Sequence, residues 1–229
     1  MIKFEDVSVV YPNGAWGLRG VSTEINVGEF VFLVGPTAEG KTTFLRLLYR
    51  EAVPTQGRVL LDGADLARLA RRKVPLLRRK VGVVFQDFRL LPDRTAFENV
   101  AFALRVVGGT NAEIERRVPD LLACVALENK RHCFPRQLSS GEQQRVAIAR
   151  AIANQPTILL ADEPTGNLDP DTSHDIVRLL AAVNDLGTTV VVATHDQMIV
   201  DHMQKRVITL AGGRIVDDRR QGTYALAQP

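Results

Sequence analysis

The run Gly35-Pro36-Thr37-Ala38-Glu39-Gly40-Lys41-Thr42-Thr43 fits G-x-x-x-x-G-K-[ST], a spacing suited to holding phosphates. Glycines let the backbone come close to phosphate oxygens. Aimed N–H groups and the positive end of a following helix then face the anion. In such a loop Lys41 reaches the terminal phosphates, and the Thr42 hydroxyl joins a Mg²⁺ shell. A glycine turn that merely opens a helix would explain Gly40 but not the pair Lys41-Thr42. The second run that carries chemistry is Ile158-Leu159-Leu160-Ala161-Asp162-Glu163. An aspartate ending a buried strand beside a phosphate loop is placed to hold Mg²⁺ through water. Glu163, one residue on, is placed to polarise an attacking water as general base. Alone, an apolar strand ending in Asp-Glu means little; beside a phosphate loop it is a strong signal.

To position these groups the chain needs particular elements in a particular order. Residues 2–10 and 21–34 read as short β-rich runs, broken by turn chemistry at Pro12-Asn13-Gly14 and Val27-Gly28-Glu29. Glu29 to Val34 leads into the glycine-rich loop, a helix begins near Lys41, and Val81 to Phe85 is a further strand. From about Asp87 to Asn154 the pattern turns helical. Thr95 and Glu98 form a capping-box pattern. A second helix is predicted from Asn111 to about Val125, with Pro119 expected to kink or split it. A third opens at Ser139, with Glu142 three residues later, and continues through Val146, Ala149 and Ile152 at helical spacing. Ile158 to Ala161 then suits a strand covered on both faces. Asp169-Pro170 supplies a cap and a first-turn proline for a helix that Gly187 stops. Thr188 to Thr194 is a buried strand ending at His195, and a hairpin around Gly212-Gly213 closes the chain. The expected fold is α/β, with a mostly parallel core from residues 1–86 and 155–229 and a helical insertion over about 87–154.

The run Leu138-Ser139-Ser140-Gly141-Glu142-Gln143-Gln144-Arg145 narrows the field. It resembles the signature motif of ABC-type ATPases, normally Leu-Ser-Gly-Gly followed by Gln or Glu-Gln, and the resemblance extends over nearly the whole chain. Tyr11 resembles the aromatic that stacks on adenine, and Gln86 the Q-loop glutamine that senses Mg²⁺ and a membrane partner. Gly166-Asn167-Leu168-Asp169 resembles the D-loop, and His195 the switch histidine near the γ-phosphate. Met alone, Tyr11 or His195 reads as packing or surface, and Ser139 as an ordinary helix cap; family order changes that reading. The resemblance implies one P-loop NTPase domain of ABC type over 1–229, with an N-terminal antiparallel β subdomain. It implies that ATP and Mg²⁺ bind and that ATP is hydrolysed. Lys41, Glu163 and His195 are the implied catalytic groups, and Thr42, Gln86 and Asp162 the implied metal shell. Nucleotide contacts are implied for Tyr11, for Gly35 through Thr43, for Gln86, for Ser139, Ser140, Gly141 and Glu142, and for Asp169. It also implies a homodimer in which the signature of one subunit closes on the ATP held by the other.

Finer likeness points to one branch. Ala161 to Asp169 resembles the branch that includes lipoprotein-release, macrolide-export and cell-division ATPases. Phe85-Gln86-Asp87-Phe88-Arg89-Leu90-Leu91 resembles the cell-division Q-loop, as Glu29 to Gly35, Asn99 to Leu104 and Ala193 to Asp196 resemble their counterparts there. That likeness implies an integral membrane partner, moved by ATP-driven dimer closure, which activates cell-wall hydrolases. The face around Gln86 and the helical insertion is the implied docking surface. An exporter ATPase and a nucleotide-gated scaffold with negligible hydrolysis remain the alternatives. Two departures bear on rate: Ala38 stands where glycine is usual, followed by the acidic Glu39, and Ser140 replaces the glycine at the third signature position. A left-handed backbone at Ala38 costs on the order of 1 kcal/mol. Glu39 repels phosphate if it points that way, and Ser140 adds a side chain where the γ-phosphate approaches. Slow turnover without a partner is therefore expected.

Composition sets the limits. The 229 residues are 45% apolar, which suits a folded globular chain. No apolar run approaches the roughly 18–20 residues of a bilayer span. The start, Met1-Ile2-Lys3-Phe4-Glu5-Asp6, lacks the order of a signal peptide. A cytosolic protein, peripheral on the inner membrane face, is expected. Cys124 and Cys133 fit no redox or zinc spacing even with His132 beside them, so inert thiols are expected. The net charge of +3 is too small to argue for nucleic acid. Its dense source, Arg68, Arg71, Arg72, Lys73, Arg78, Arg79 and Lys80, reads as a solvated helix face, with an acidic partner or anionic membrane as the sharper alternative.

Overall fold

Strands of two textures build two sheets in the computed structural model, which describes residues 1–222 and Tyr224. β1 (Ile2–Val10) and β2 (Trp16–Ile25) mix buried and exposed positions, as strands with one wet face do. They pair antiparallel, with Ile2 opposite Ile25 and Phe4 opposite Thr23. β4 (Gln56–Leu61) and the two-residue β5 (Ala64–Asp65) complete an antiparallel sheet in the order β2-β1-β4-β5. β2 begins at Trp16, five residues before the sequence pattern placed it, because turn residues Pro12 to Ala15 end just there.

The second sheet has continuously apolar strands. β3 (Phe30–Val34) and β8 (Thr189–Ala193) are buried at every position, and β7 (Ile158–Asp162) at all but its last. With β6 (Val81–Val84), β9 (Arg206–Ala211) and β10 (Arg214–Arg219) they run in the order β10-β9-β3-β8-β7-β6. Every pairing is parallel except β9 with β10.

One core lies between the sheets around α1 (Lys41–Leu48), where Phe44 stacks on Phe4 with centroids 4.0 Å apart. Phe32, Val34, Leu159 and Val192 pack on the opposite face, against α6 (Pro170–Asp185) and α7 (Gln197–Met203). A third core joins α3 (Ala96–Val106), α4 (Asn111–Cys124) and α5 (Ser140–Ile152) through Val100, Leu104, Ile114, Val118, Leu122 and Val146.

The capping boxes at Thr95/Glu98 and Ser139/Glu142 form as patterned, and Asp169 caps α6 ahead of Pro170. Helix α4 runs unbroken through Pro119. Pro119 has no N–H for the carbonyl four residues back, but that carbonyl belongs to the exposed Glu115, where water can serve it. The basic run forms a short turn over Arg71–Lys73 and then α2 (Val74–Arg79), in which only Leu77 is buried. Both cysteines are free thiols. No helix among the described residues is long and apolar enough to cross a membrane.

Candidate nucleotide site

β3 ends at Val34, and the chain turns through Gly35 to Gly40 before α1 begins at Lys41. Gly35 (φ 142°) and Gly40 (φ 100°) both require glycine, since a Cβ would collide with the carbonyls of Leu210 and Gly17. Between them Ala38 holds φ 68°, the left-handed region that costs a side chain about 1–2 kcal/mol. Glu39 turns away from the loop's mouth, and its carboxylate accepts a hydrogen bond from the Gly212 N–H in the β9–β10 turn. The condition under which Glu39 would repel phosphate is opposed by this bond, which ties its carboxylate to the β9–β10 turn.

Lys41 is 94% buried, with 6% of its surface exposed, and its ammonium donates to the carbonyls of Gly35 (2.7 Å) and Pro36 (3.0 Å). Glu163 Oε1 lies 3.4 Å from the same nitrogen. The other Glu163 oxygen is 2.8 Å from His195 Nδ1. Adjacent strands bring these groups together. β3 neighbours β8, β8 neighbours β7, and the Glu163 N–H donates to the Ala193 carbonyl at 2.9 Å. Glu163 itself is left-handed at φ 48°, which swings its side chain off the strand axis. Thr42 donates its hydroxyl proton to Asp162 Oδ1 at 3.2 Å. Burial pushes the Asp162 carboxyl above its usual range, opposed by the Thr42 hydrogen bond and by the charges of Arg46 and Lys41. The Tyr11 hydroxyl meets Thr43 Oγ1 at 2.8 Å, placing the ring beside the start of α1. Gly17 makes room for it, since a Cβ there would sit 2.8 Å from Thr43 Cγ2 and 3.0 Å from the tyrosine ring.

The remaining sequence-predicted residues lie on further segments, of which the one at Gln86 shares the neighbour Gly166 with Glu163. Gln86 is exposed just past β6, and the Asn167 amide donates to its carbonyl at 3.4 Å. Its own side-chain nitrogen comes close to Gly166. Asp169 accepts from the Thr172 N–H at 3.0 Å, and hydrogen bonds from Thr172 hold its carboxyl below the usual range. Ser139 and Glu142 satisfy each other across the first turn of α5, leaving Ser140 exposed. Gly141 is buried against α6, where a Cβ would lie 2.5 Å from Thr172 Cγ2. Among the described residues no hydrogen bond or ion pair links 139–142 to 35–43. Within one chain, then, the lysine, the carboxylates and His195 converge, while residues 139–142 are engaged with one another and with α6.

Two residues with structural claims on the site escaped sequence reading. Thr172 sets the spacing between α5 and α6. Arg150, near the end of α5, donates to the carbonyls of Arg89 (2.5 Å) and Phe88 (2.7 Å). An arginine inside a helix gives no local sign that it reaches a loop some sixty residues earlier.

Residues 18–166 match the sequence profile of the ABC transporter family. The chain belongs to that family. It is an ABC ATPase, similar over almost its full length to cell division ATP-binding proteins FtsE. It is 52% identical over 224 residues to that of Bacillus subtilis (strain 168), covering 98% of each chain. It is 50% identical over 227 residues to that of Mycobacterium tuberculosis (strain ATCC 25618 / H37Rv), covering 99% of each. Among solved structures, the ABC cassette MJ0796 in a dimeric post-hydrolysis state bound to ADP and Pi superposes with a TM-score of 0.88. That match has 37% identity and covers 98% of this chain and 100% of that one.

Proposed function

We propose that this chain is the ATP-binding and ATP-hydrolysing subunit of an FtsE–FtsX-type complex in bacterial cell division. ATP-driven closure of its homodimer moves the membrane partner FtsX, which activates cell-wall hydrolases. Full-length similarity to cell division ATP-binding proteins supports the assignment to that branch. The single observation that carries the chemistry is the contact series Lys41–Glu163–His195. A lysine for the terminal phosphates, a carboxylate for the attacking water and a histidine to orient that carboxylate already touch one another.

In this reading the phosphates enter the loop from Gly35 to Thr43 and take Lys41 from the Gly35 and Pro36 carbonyls. Glu163, released from the lysine, accepts a proton from water, and His195 holds it in line. Tyr11 lies under the adenine. Thr42 and Asp162 fit a Mg²⁺ ion, since a hydroxyl and a carboxylate whose charge is disfavoured by burial are both eased by a divalent cation. Gln86 joins that shell from the Q-loop. Ser139, Ser140, Gly141 and Glu142 act on the ATP of the other subunit, a reading that the likeness to a dimeric ABC cassette supports. Asp169 fixes the D-loop at the same interface. Residues 87–154 act as the helical subdomain that carries the signature.

The partner docks in a groove of about 670 Å³ between the second sheet and α3, lined by Arg78, Phe85, Arg89, Phe102 and Arg150. Phe102 is half exposed there. The left-handed Ala38 and the added Ser140 side chain support slow turnover of the free protein. The test is ATP hydrolysis by the purified chain, alone and with the membrane partner, beside Glu163→Gln. Loss of the base is expected to cut turnover by about 10²–10⁴-fold while ATP still binds. The variant is further expected to double in mass on adding ATP, as read by sedimentation. Tight ATP binding with no turnover in either setting would mean a nucleotide-gated scaffold instead.

A further inference from the structure

We propose that Arg150 is a positioning residue that ties the Q-loop to the signature helix, so that occupancy of the docking groove is transmitted to Gln86 and to the signature run together. The inference rests on the reading of that groove as the partner's seat, and it assigns the link to one side chain.

Three observations carry it. First, the Arg150 guanidinium holds two consecutive carbonyls, Phe88 at 2.7 Å and Arg89 at 2.5 Å. Both residues are left-handed, at φ 58° and 47°. Two adjacent non-glycine residues with positive φ persist only where the surroundings hold them, and the planar fork of an arginine matches such a pair of acceptors.

Second, this cation has no acid. Among the described residues no carboxylate lies within 4.0 Å of its nitrogens, unlike Arg145 on the same helix, which pairs with Asp175 at 3.0 Å. Burial lowers the Arg150 pKa with no opposing contribution. A half-buried charge devoted wholly to two backbone oxygens is a costly way to add stability, and it suits the holding of one particular loop geometry.

Third, the same side chain lies at three boundaries at once. It lines the groove beside Phe85, Arg89 and Phe102, and the segment it grips begins two residues after Gln86. It also stands on α5, whose first turn is the signature run Ser140 to Glu142. Arg89 adds to this corner, its guanidinium lying 3.9 Å from the Phe85 ring centroid. A partner pressing on Phe85 or Arg89 therefore shifts carbonyls to which α5 is bonded.

The experiment compares wild type, Arg150→Lys and Arg150→Ala as full chains, each with and without the membrane partner. A lysine ammonium is a point donor on a different stem, without the planar, pre-set pair of N–H groups that matches these two acceptors, so the lysine variant should fold while losing the fork. The expected result is that partner-stimulated kcat at saturating partner falls about fivefold or more in the lysine variant, while its affinity for the partner and its KM for ATP stay within about twofold of wild type. Amide exchange of residues 86–91 should quicken in the free protein, with 140–152 unchanged. Full stimulation in both variants, or unchanged exchange at 86–91, overturns the proposal. A rise in KM for ATP together with a fall in basal rate and melting temperature in the lysine variant also overturns it, since a merely structural arginine would give that pattern. If the wild type itself is not stimulated, the docking reading fails on its own account. The exchange comparison then still decides whether Arg150 holds the Q-loop.

Discussion

At the scale of single residues, the loop from Gly35 to Gly40 holds its lysine through its own carbonyls. Lys41 spends its protons on the Gly35 and Pro36 carbonyls and its charge partly on Glu163, so an incoming phosphate must replace bonds already made. Ala38 adds a backbone cost at the same place. Glycine at position 38 would relieve about 1–2 kcal/mol of left-handed strain and give back about 0.4–1 kcal/mol through the more flexible unfolded chain. Ala38→Gly is thus expected to stabilise the protein by about 0.5–1 kcal/mol, as urea unfolding would read. It should also raise the basal ATPase rate. A variant that unfolds earlier than wild type would show that the loop does not bear the strain its φ implies. Glu39 is the instructive counter-case. The sequence left open where its charge points; its carboxylate is bonded to the Gly212 N–H, which no local pattern announces.

Among the elements, α5 is the one on which the others converge. Its first turn carries the signature run, Gly141 packs on Thr172 of α6, Arg145 pairs with Asp175, and Arg150 grips the segment after Gln86. A methyl group at position 141 would sit 2.5 Å from Thr172 Cγ2 and push α5 from α6. Gly141→Ala is expected to lower turnover roughly tenfold through misplacement of the signature run. Adding Thr172→Ser removes the clashing methyl, leaving the nearest threonine atoms at 3.8 Å, and should restore most of the activity. Assays of the two single variants and the double variant would check this; a double no better than Gly141→Ala would place the defect elsewhere. The caps of α3, α5 and α6 were legible in the sequence because each is settled within four residues. The fate of Pro119 was not. Whether its lost hydrogen bond breaks α4 depends on Glu115 facing water, and that follows from how the whole bundle packs.

In the whole molecule, the two sheets are held at one edge by Arg206 of β9. Its guanidinium bonds Asp218, Glu29, the Thr23 hydroxyl and the Glu24 carbonyl, so one side chain joins the parallel sheet to β2 of the antiparallel one. The Asp218 hydrogen bond, against the cost of burial, holds its pKa above the ordinary arginine value. Arg206→Ala is expected to destabilise the chain by about 2 kcal/mol, less than the loss of a fully buried pair because its acid partners remain partly wet. Chemical denaturation would read that loss. KM for ATP should stay unchanged, because the network lies at the sheet edge rather than at the phosphate loop. The sequence by itself marked the candidate residues and most of the strands and helices, though not β4 or α7. Glycine spacing, caps and apolar runs act over a few residues and can be read in line. Only the tertiary structure decided who meets whom. The order β3-β8-β7 sets Lys41, Glu163 and His195 in contact, and α5 lies where Arg150 reaches Phe88 and Arg89. Such meetings depend on which distant strands become neighbours, and that is settled by packing three cores at once.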